Sequence, residues 1–252
     1  MALAGLPGIR RIAGDLSGLE GPNPFVTSNS FPEYDKPMSE VYLHRHNDEI
    51  AARWDAKAES WEQELIDPCC HLNEDGAYSR FINLLGSILR SRQTFCADKG
   101  VIDAGCATGL VMAQAISWFT WGVGVDISPK MIETAQAKHI PNTRFAVGDC
   151  FKLSGICPKA AAVLSRGVLL SHYGPKQAIE LLSSARDCLV DEGFIVWDFL
   201  NSTARRSYRH APENKAYFSA AEVSALAAEA GFRAVKVHGE PERRVQVLFA
   251  ER

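Results

Sequence analysis

The chain has 252 residues, 46% of them hydrophobic and 23% charged, and its 27 basic and 30 acidic side chains leave a net charge of -3. Such a chain fits one globular domain with a short extension, whose core needs no disulfide or metal staple. The near-cancelling charges exclude a whole-molecule field that would capture nucleic acid or an acidic membrane, and no apolar run approaches the roughly 20 residues of a membrane span.

At the N-terminus Leu3, Leu6 and Ile9 are broken by Gly5, Pro7 and Gly8, and Arg10 and Arg11 follow this weak apolar stretch rather than precede it, which is not the pattern of a secretory signal. Residues 21–37 shift to Pro, Asn, Ser and Gly, so residues 1–40 read as an irregular arm and residues 41–252 as a single domain. Within that domain, residues 41–97 form a helical cover and residues 98–252 the core. Ile50, Trp54, Trp61 and Leu65 fall on one face of a first helix, and Tyr78, Phe81, Leu84, Leu85, Ile88 and Leu89 line a second. The seven cysteines (Cys69, Cys70, Cys96, Cys106, Cys150, Cys157, Cys188) are odd in number and irregular in spacing, with no CxxC pair. They predict a reducing, cytoplasmic setting. Cys69-Cys70-His71 lacks a second ligand pair at finger spacing, so no metal is expected.

From residue 100 the period changes. Strand-length apolar runs at 100–104, 121–125, 144–147, 160–164 and 194–199 alternate with amphipathic helices at 109–118, 129–138 and 175–190. Such alternation predicts a parallel sheet covered on both faces. The end of the chain departs from it: Ser219 precedes a helix over 221–230, Gly231 stops it, and strands at 232–237 and 245–249 are joined by so short a link that they pair antiparallel.

The segment VIDAGCATGL (101–110) is an apolar strand ending in Asp103, a turn of small residues and the start of a helix. Small residues let a ligand approach the backbone, and the helix N-terminus supplies free N–H groups. A dinucleotide fingerprint needs G-x-G-x-x-G, but Ala107 and Leu110 stand at its second and third glycine places. What remains, with Asp103, Gly105 and Gly109 in register, resembles motif I of the class I S-adenosylmethionine (SAM) methyltransferases, D-x-G-x-G-x-G, with Ala107 at the middle glycine. GVGVDISPKMIETAQAK (122–138) resembles the family's second motif, and RFAVGDC (144–150), ending Gly-Asp, its third.

The resemblance covers about residues 98–250 and implies a seven-stranded, doubly wound Rossmann-like α/β sheet with its last strand antiparallel. It implies a SAM site made of the turn at Asp103, Gly105, Cys106, Ala107 and Gly109, with Asp126 on the ribose and Ile127 and Met131 near the adenine. Asp149 would accept from the adenine amino group, flanked by Gly148 and Cys150, and the backbone of Ser165, Arg166 and Gly167 would face the methionyl part. The fourth strand lacks the acid that family members carry at its start.

The leading segment RWDAKAESW (53–61) resembles the family's lid element, so Trp54 and Trp61 close over SAM or simply pack as core. His172, after the fourth strand, is either a general base for the acceptor or a wall of its pocket, with Tyr173 beside it as a wall. The polar segment 201–210 leaves the ligand-binding edge of the sheet, and Arg205, Arg206, Tyr208 and Arg209 either clamp an anionic group of the acceptor or belong to a solvated loop. The resulting expectation is a cytoplasmic enzyme, monomer or homodimer, that methylates nitrogen or oxygen of a small-molecule acceptor, nitrogen favoured by the missing fourth-strand acid, and leaves S-adenosylhomocysteine (SAH). A tRNA or protein methyltransferase and a non-catalytic SAM-binding subunit are the rivals.

Overall fold

The computed structural model describes residues 45–66, 76–167, 169–205 and 215–252. The arm at 1–40, the Cys69-Cys70-His71 triplet and Arg206, Tyr208 and Arg209 lie outside the described residues. In chain order the elements are α1 (Arg45–Asp55), α2 (Trp61–Ile66), α3 (Ala77–Ser91), α4 (Gln93–Cys96), β1 (Gly100–Ala104), α5 (Leu110–Ala115), β2 (Trp121–Asp126), α6 (Pro129–Ala137), β3 (Thr143–Val147), β4 (Ala160–Ser165), α7 (Pro175–Asp187), β5 (Leu189–Leu200), α8 (Ala220–Glu229), β6 (Arg233–His238) and β7 (Val245–Glu251). The strands form one seven-stranded sheet in the order β3-β2-β1-β4-β5-β7-β6. All pairs from β3 to β5 are parallel, and β7 runs antiparallel to both β5 and β6.

The period-2 geometry of the strands sorts the core into two layers. Ile102 of β1 packs with Val123, Val163 and Ile195 toward α7 and α8, where Leu181, Leu182, Val223 and Ala227 complete the layer. Val101, its chain neighbour, packs on the opposite face with Leu85 and Leu89 of α3, Met112 of α5 and Ile132 of α6. Every residue of β1 is buried, as expected for a central strand covered on both faces. The helix ends follow their sequence signals. Ser128 caps α6 by accepting from Met131 N (3.1 Å) with Pro129 following, Ser219 and Glu222 form a reciprocal capping box on α8, and Gly231 (φ 86°) ends it.

Two boundaries differ from expectation. The first helix is two, α1 and α2, because the chain tightens over residues 56–60 into bonds from Lys57 N to Trp54 O and from Ala58 N to Asp55 O. The Asp55 carboxylate at that break is occupied elsewhere, on the N-terminus of α6. The seventh helix stops at Asp187 because Leu189 already pairs with Ala160. The strand then bulges before regaining register at Phe194 opposite Ala162, with Glu192 at φ 63° in the bulge.

Candidate functional site

The turn after β1 is a chain of left-handed residues. Gly105 (φ 70°), Ala107 (φ 45°) and Gly109 (φ 80°) alternate with ordinary ones, so the three small residues stand where a side chain costs most. A Cβ at Gly109 would also come within 2.9 Å of the Phe145 ring. Gly105 N and Cys106 N both donate to Val125 O, at 2.8 and 3.0 Å, which fastens the turn to the end of β2. Asp126 then accepts from Ala107 N at 2.9 Å through Oδ2 and from Ser128 N at 2.9 Å through Oδ1. One carboxylate thus ties two loops together at the carboxyl end of the sheet. Asp103 lies deeper, 1% exposed, with Oδ2 lacking a partner among the described residues. Burial, reinforced by the nearby Asp126 charge and opposed by the Met112 backbone N–H, pushes the Asp103 carboxyl up to about 7. Burial also raises Asp126, and the Ser128 and Ala107 N–H groups oppose it.

The switch in strand direction of travel falls between β1 and β4, where open α/β sheets bind ligands. A cleft opens there, with about 670 Å³ of empty space when the open solvent at its mouth is included. Gly105, Ala107, Asp126, Ile127 and Met131 make one wall, and Gly148, Asp149 and Cys150 extend it beyond β3. A Cβ at Gly148 would strike Ile156 Cδ1 at 2.5 Å, and Asp149 caps the following turn by accepting from Phe151 N at 2.9 Å. The floor is Arg166 and Gly167, held from β5 by Asp198: Arg166 pairs with its Oδ2 at 3.2 Å and Gly167 N donates to Oδ1 at 3.0 Å. The Arg166 guanidinium also sits 5.8 Å from the centre of the Tyr78 ring, whose hydroxyl burial pushes up to about 12 against the pull of that cation.

Trp54 and Trp61 roof the cleft in an edge-to-face pair, 5.3 Å between centroids, and Trp54 lies 5.6 Å from the His172 ring. The roof is pinned at two points. Ser128 Oγ (2.5 Å) and Lys130 N (3.0 Å) donate to Asp55 Oδ1, and Lys138 bridges Glu62 of α2 to the Thr108 carbonyl of the glycine turn. His172 and Tyr173 close the rim. Tyr173 packs edge-on against Phe151 at 4.9 Å, and burial raises its hydroxyl well above the ordinary value. His172 is drawn down to about 3 by burial and by the positive charges of Lys215 and Arg53, so its ring is neutral near neutral pH. Lys215 Nζ stands 2.7 Å from His172 Nδ1.

Fourteen of the sequence-derived positions therefore share one cleft. Asp103, Cys106, Gly109 and Ser165 are instead behind its surface: Asp103, Cys106 and Ser165 are buried and Gly109 packs on Phe145. Arg205 turns away to stack 4.5 Å over the Tyr217 ring. Ile50 and Leu169 line the cleft without having been anticipated as site residues, and Asp55, Asp198 and Lys215 support it from elsewhere in the chain. Asp55 had a signal in its place between the two Trp. Asp198, the last acid of the fifth strand, does the anchoring at the end of β4, a strand with no acid of its own. Among the described residues no group of three or more His, Cys, Asp or Glu is arranged to hold a metal, and no helix is long and apolar enough to cross a membrane.

Strand order, the antiparallel β7 between β5 and β6, and a cleft at the β1/β4 switch define the class I methyltransferase fold. Residues 101–193 match the family profile described as a methyltransferase domain. Residues 101–193 thus carry a methyltransferase domain, set in a sheet of the class I methyltransferase fold. Trans-aconitate 2-methyltransferase from Deinococcus radiodurans is 42% identical over 57 residues, so the match spans only 22% of this chain and 22% of that protein. Among solved structures, magnesium protoporphyrin IX methyltransferase from Synechocystis PCC 6803 with bound SAH superposes with a TM-score of 0.63 at 16% identity, covering 81% of this chain and 99% of that one. A SAM-dependent methyltransferase from Clostridium acetobutylicum ATCC 824 gives 0.57 at 11% identity, covering 66% and 89%. At these identities the likeness is one of fold.

Proposed function

We propose that this chain is a methyltransferase that binds SAM in the cleft and moves its methyl group to a nitrogen or oxygen of a small-molecule acceptor. SAM supplies an electrophilic methyl on a sulfonium whose leaving group is a neutral thioether. The observation that carries the reading is the Asp126 carboxylate, fixed by the Ala107 and Ser128 N–H groups at the cleft wall and only 8% exposed. Each carboxylate oxygen keeps lone pairs beyond the one used, so Asp126 accepts from the two ribose hydroxyls while the turn stays tied. Asp149 accepts from the adenine amino group, and the desolvated carboxylates of Asp103 and Asp126 favour a cationic ligand nearby.

Displacement at a sulfonium methyl needs alignment and exclusion of water more than proton transfer. Trp54 and Trp61 supply the exclusion, as a lid pinned through Asp55 and Glu62. His172, neutral and with the Lys215 Nζ against both of its ring nitrogens, shapes and orients the acceptor side rather than withdrawing a proton. Calorimetric titration with SAM tests the placement. Asp126→Ala removes charge-assisted hydrogen bonds, each about 1.5–3 kcal/mol, and affinity should fall at least about tenfold. Unchanged affinity would remove the ribose from Asp126.

A further inference from the structure

Among the described residues the acceptor side of the cleft carries positive charge and little to neutralise it. Lys215 sits on a short extended segment locked to the site by its neighbour, since Ala216 N donates to Ser171 O at 2.7 Å and Phe218 N to Leu200 O at 2.9 Å. Its ammonium reaches the ring of His172, a cleft residue, and Arg53 adds a second cation to the same neighbourhood from α1. Among the described residues neither Lys215 nor Arg53 is paired with a carboxylate, whereas Lys57 beside them is paired with Glu64 at 3.1 Å. A half-buried ammonium facing like charges and a neutral ring is unfavourable by itself, and burial with Arg53 and Lys57 pulls the Lys215 amine down to about 7. An anion beside it would reverse that penalty.

Among the described residues the same rim has no proton acceptor suited to an alcohol or an ammonium. His172 is engaged by a cation, Tyr173 is a phenol raised by burial, and the floor carboxylate Asp198 is committed to Arg166 and Gly167 N. A nucleophile that arrives already deprotonated avoids the need.

We infer that the acceptor is a small carboxylic acid, bound as its carboxylate against Lys215 and Arg53 at the His172 rim and methylated on a carboxylate oxygen. The inference rests on the methyltransferase reading above. A lone pair on the carboxylate oxygen forms the new O–CH3 bond while the C–S bond breaks with its electron pair passing to sulfur. The carboxylate and sulfonium charges cancel, a methyl ester and neutral SAH result, and no proton moves. Lys215 and Arg53 hold the anion and are not proton donors in this step.

The test uses the full chain and SAM carrying an isotopically labelled methyl group, after calorimetry has measured SAM binding. The acceptor panel is succinate, tricarballylate and phenylacetate, with the amide of each, a phenol, a primary amine and a phosphate monoester lacking a carboxyl group. Label should enter the carboxylic acids alone and be released as methanol by mild alkali. Lys215→Gln should raise the KM for the acid at least about tenfold with SAM affinity unchanged, Lys215→Arg should restore it, and the exposed Arg53→Gln should act in the same direction. His172→Asn, which keeps a polar group at Nδ1, should cost kcat only a few-fold. SAM binding with transfer only to the amine, phenol or phosphate, with no transfer to any acid, or with an acid KM indifferent to Lys215 overturns the carboxylate inference alone. A loss of about 100-fold in His172→Asn with a changed kcat–pH profile overturns its base-free step. Absence of SAM binding overturns this inference together with the methyltransferase reading.

Discussion

At Ala107 a residue with a Cβ holds φ 45°, in the conformation where glycine is at home, between two glycines that hold it too. The left-handed conformation costs an L-residue about 1 kcal/mol or more, and part of that is returned because alanine has less unfolded-state freedom to lose. Ala107→Gly should therefore raise unfolding stability by up to about 1 kcal/mol in denaturant melts, and a loss of stability would contradict the strain. Asp103 gives the clearest pH signature. Its carboxyl is raised to about 7 in the folded chain against about 3.9 when unfolded. The native state thus holds a proton that the unfolded state has already lost, so stability falls as pH rises from about 4 to 7, by up to about 1.4 kcal/mol per pH unit, and the deficit persists above 7. Asp103→Asn keeps the acceptor for the Met112 N–H and removes the charge. The variant should melt higher than the wild type at pH 8 and the difference should vanish near pH 4. Asp126 has the same sign of shift and interacts with Asp103 through its charge, so the difference reports Asp103 together with that interaction; parallel curves would contradict the account.

The roof is an element whose position depends on polar contacts as well as packing. Trp61 and Ala58 meet Met131 of α6, with Trp54 and Tyr78 against them, but the orientation of α1 comes from Asp55 at the α6 N-terminus. Removing that carboxylate in Asp55→Ala takes two charge-assisted bonds from a half-buried site, and a cost of about 1–2 kcal/mol is expected. Hydrogen exchange should quicken over residues 45–66 while β1 and β4 keep their protection; uniform protection would show that Asp55 does not set the roof. The two Trp at helical spacing marked this element in the sequence, as a lid or as core, and both line the cleft. The break between α1 and α2 was not legible, because residues 56–60 carry no glycine or proline. It follows from a partner 73 residues away in the chain, Ser128. The same holds for Lys215 beside His172 and Asp198 beneath Gly167, which are brought in by the packing of β5 and the segment after it. In the motifs themselves the pattern separated ligand wall from support only in part: Asp126 and Asp149 face the cleft, while Asp103, at an equally conspicuous strand end, is buried beneath it.

For the whole molecule, the order of strands decides where a ligand can sit. Alternating strands and helices, then a helix and two adjacent strands, imply a parallel sheet with an antiparallel edge, and the sheet has that composition. Buried, nearly uninterrupted apolar strands made this legible. The carboxyl ends of β1 and β4 then diverge, and the glycine turn, Asp126 and Gly167 meet at that divergence. Thermal unfolding of the full chain with SAM, with SAH, with NADH and without ligand tests the central claim most directly, since a ligand bound only by the native state raises the midpoint by mass action. SAM and SAH should each raise it and NADH should leave it unchanged. A rise with NADH alone would mean that the glycine turn serves a dinucleotide, and would contradict the assignment of this cleft to methyl transfer.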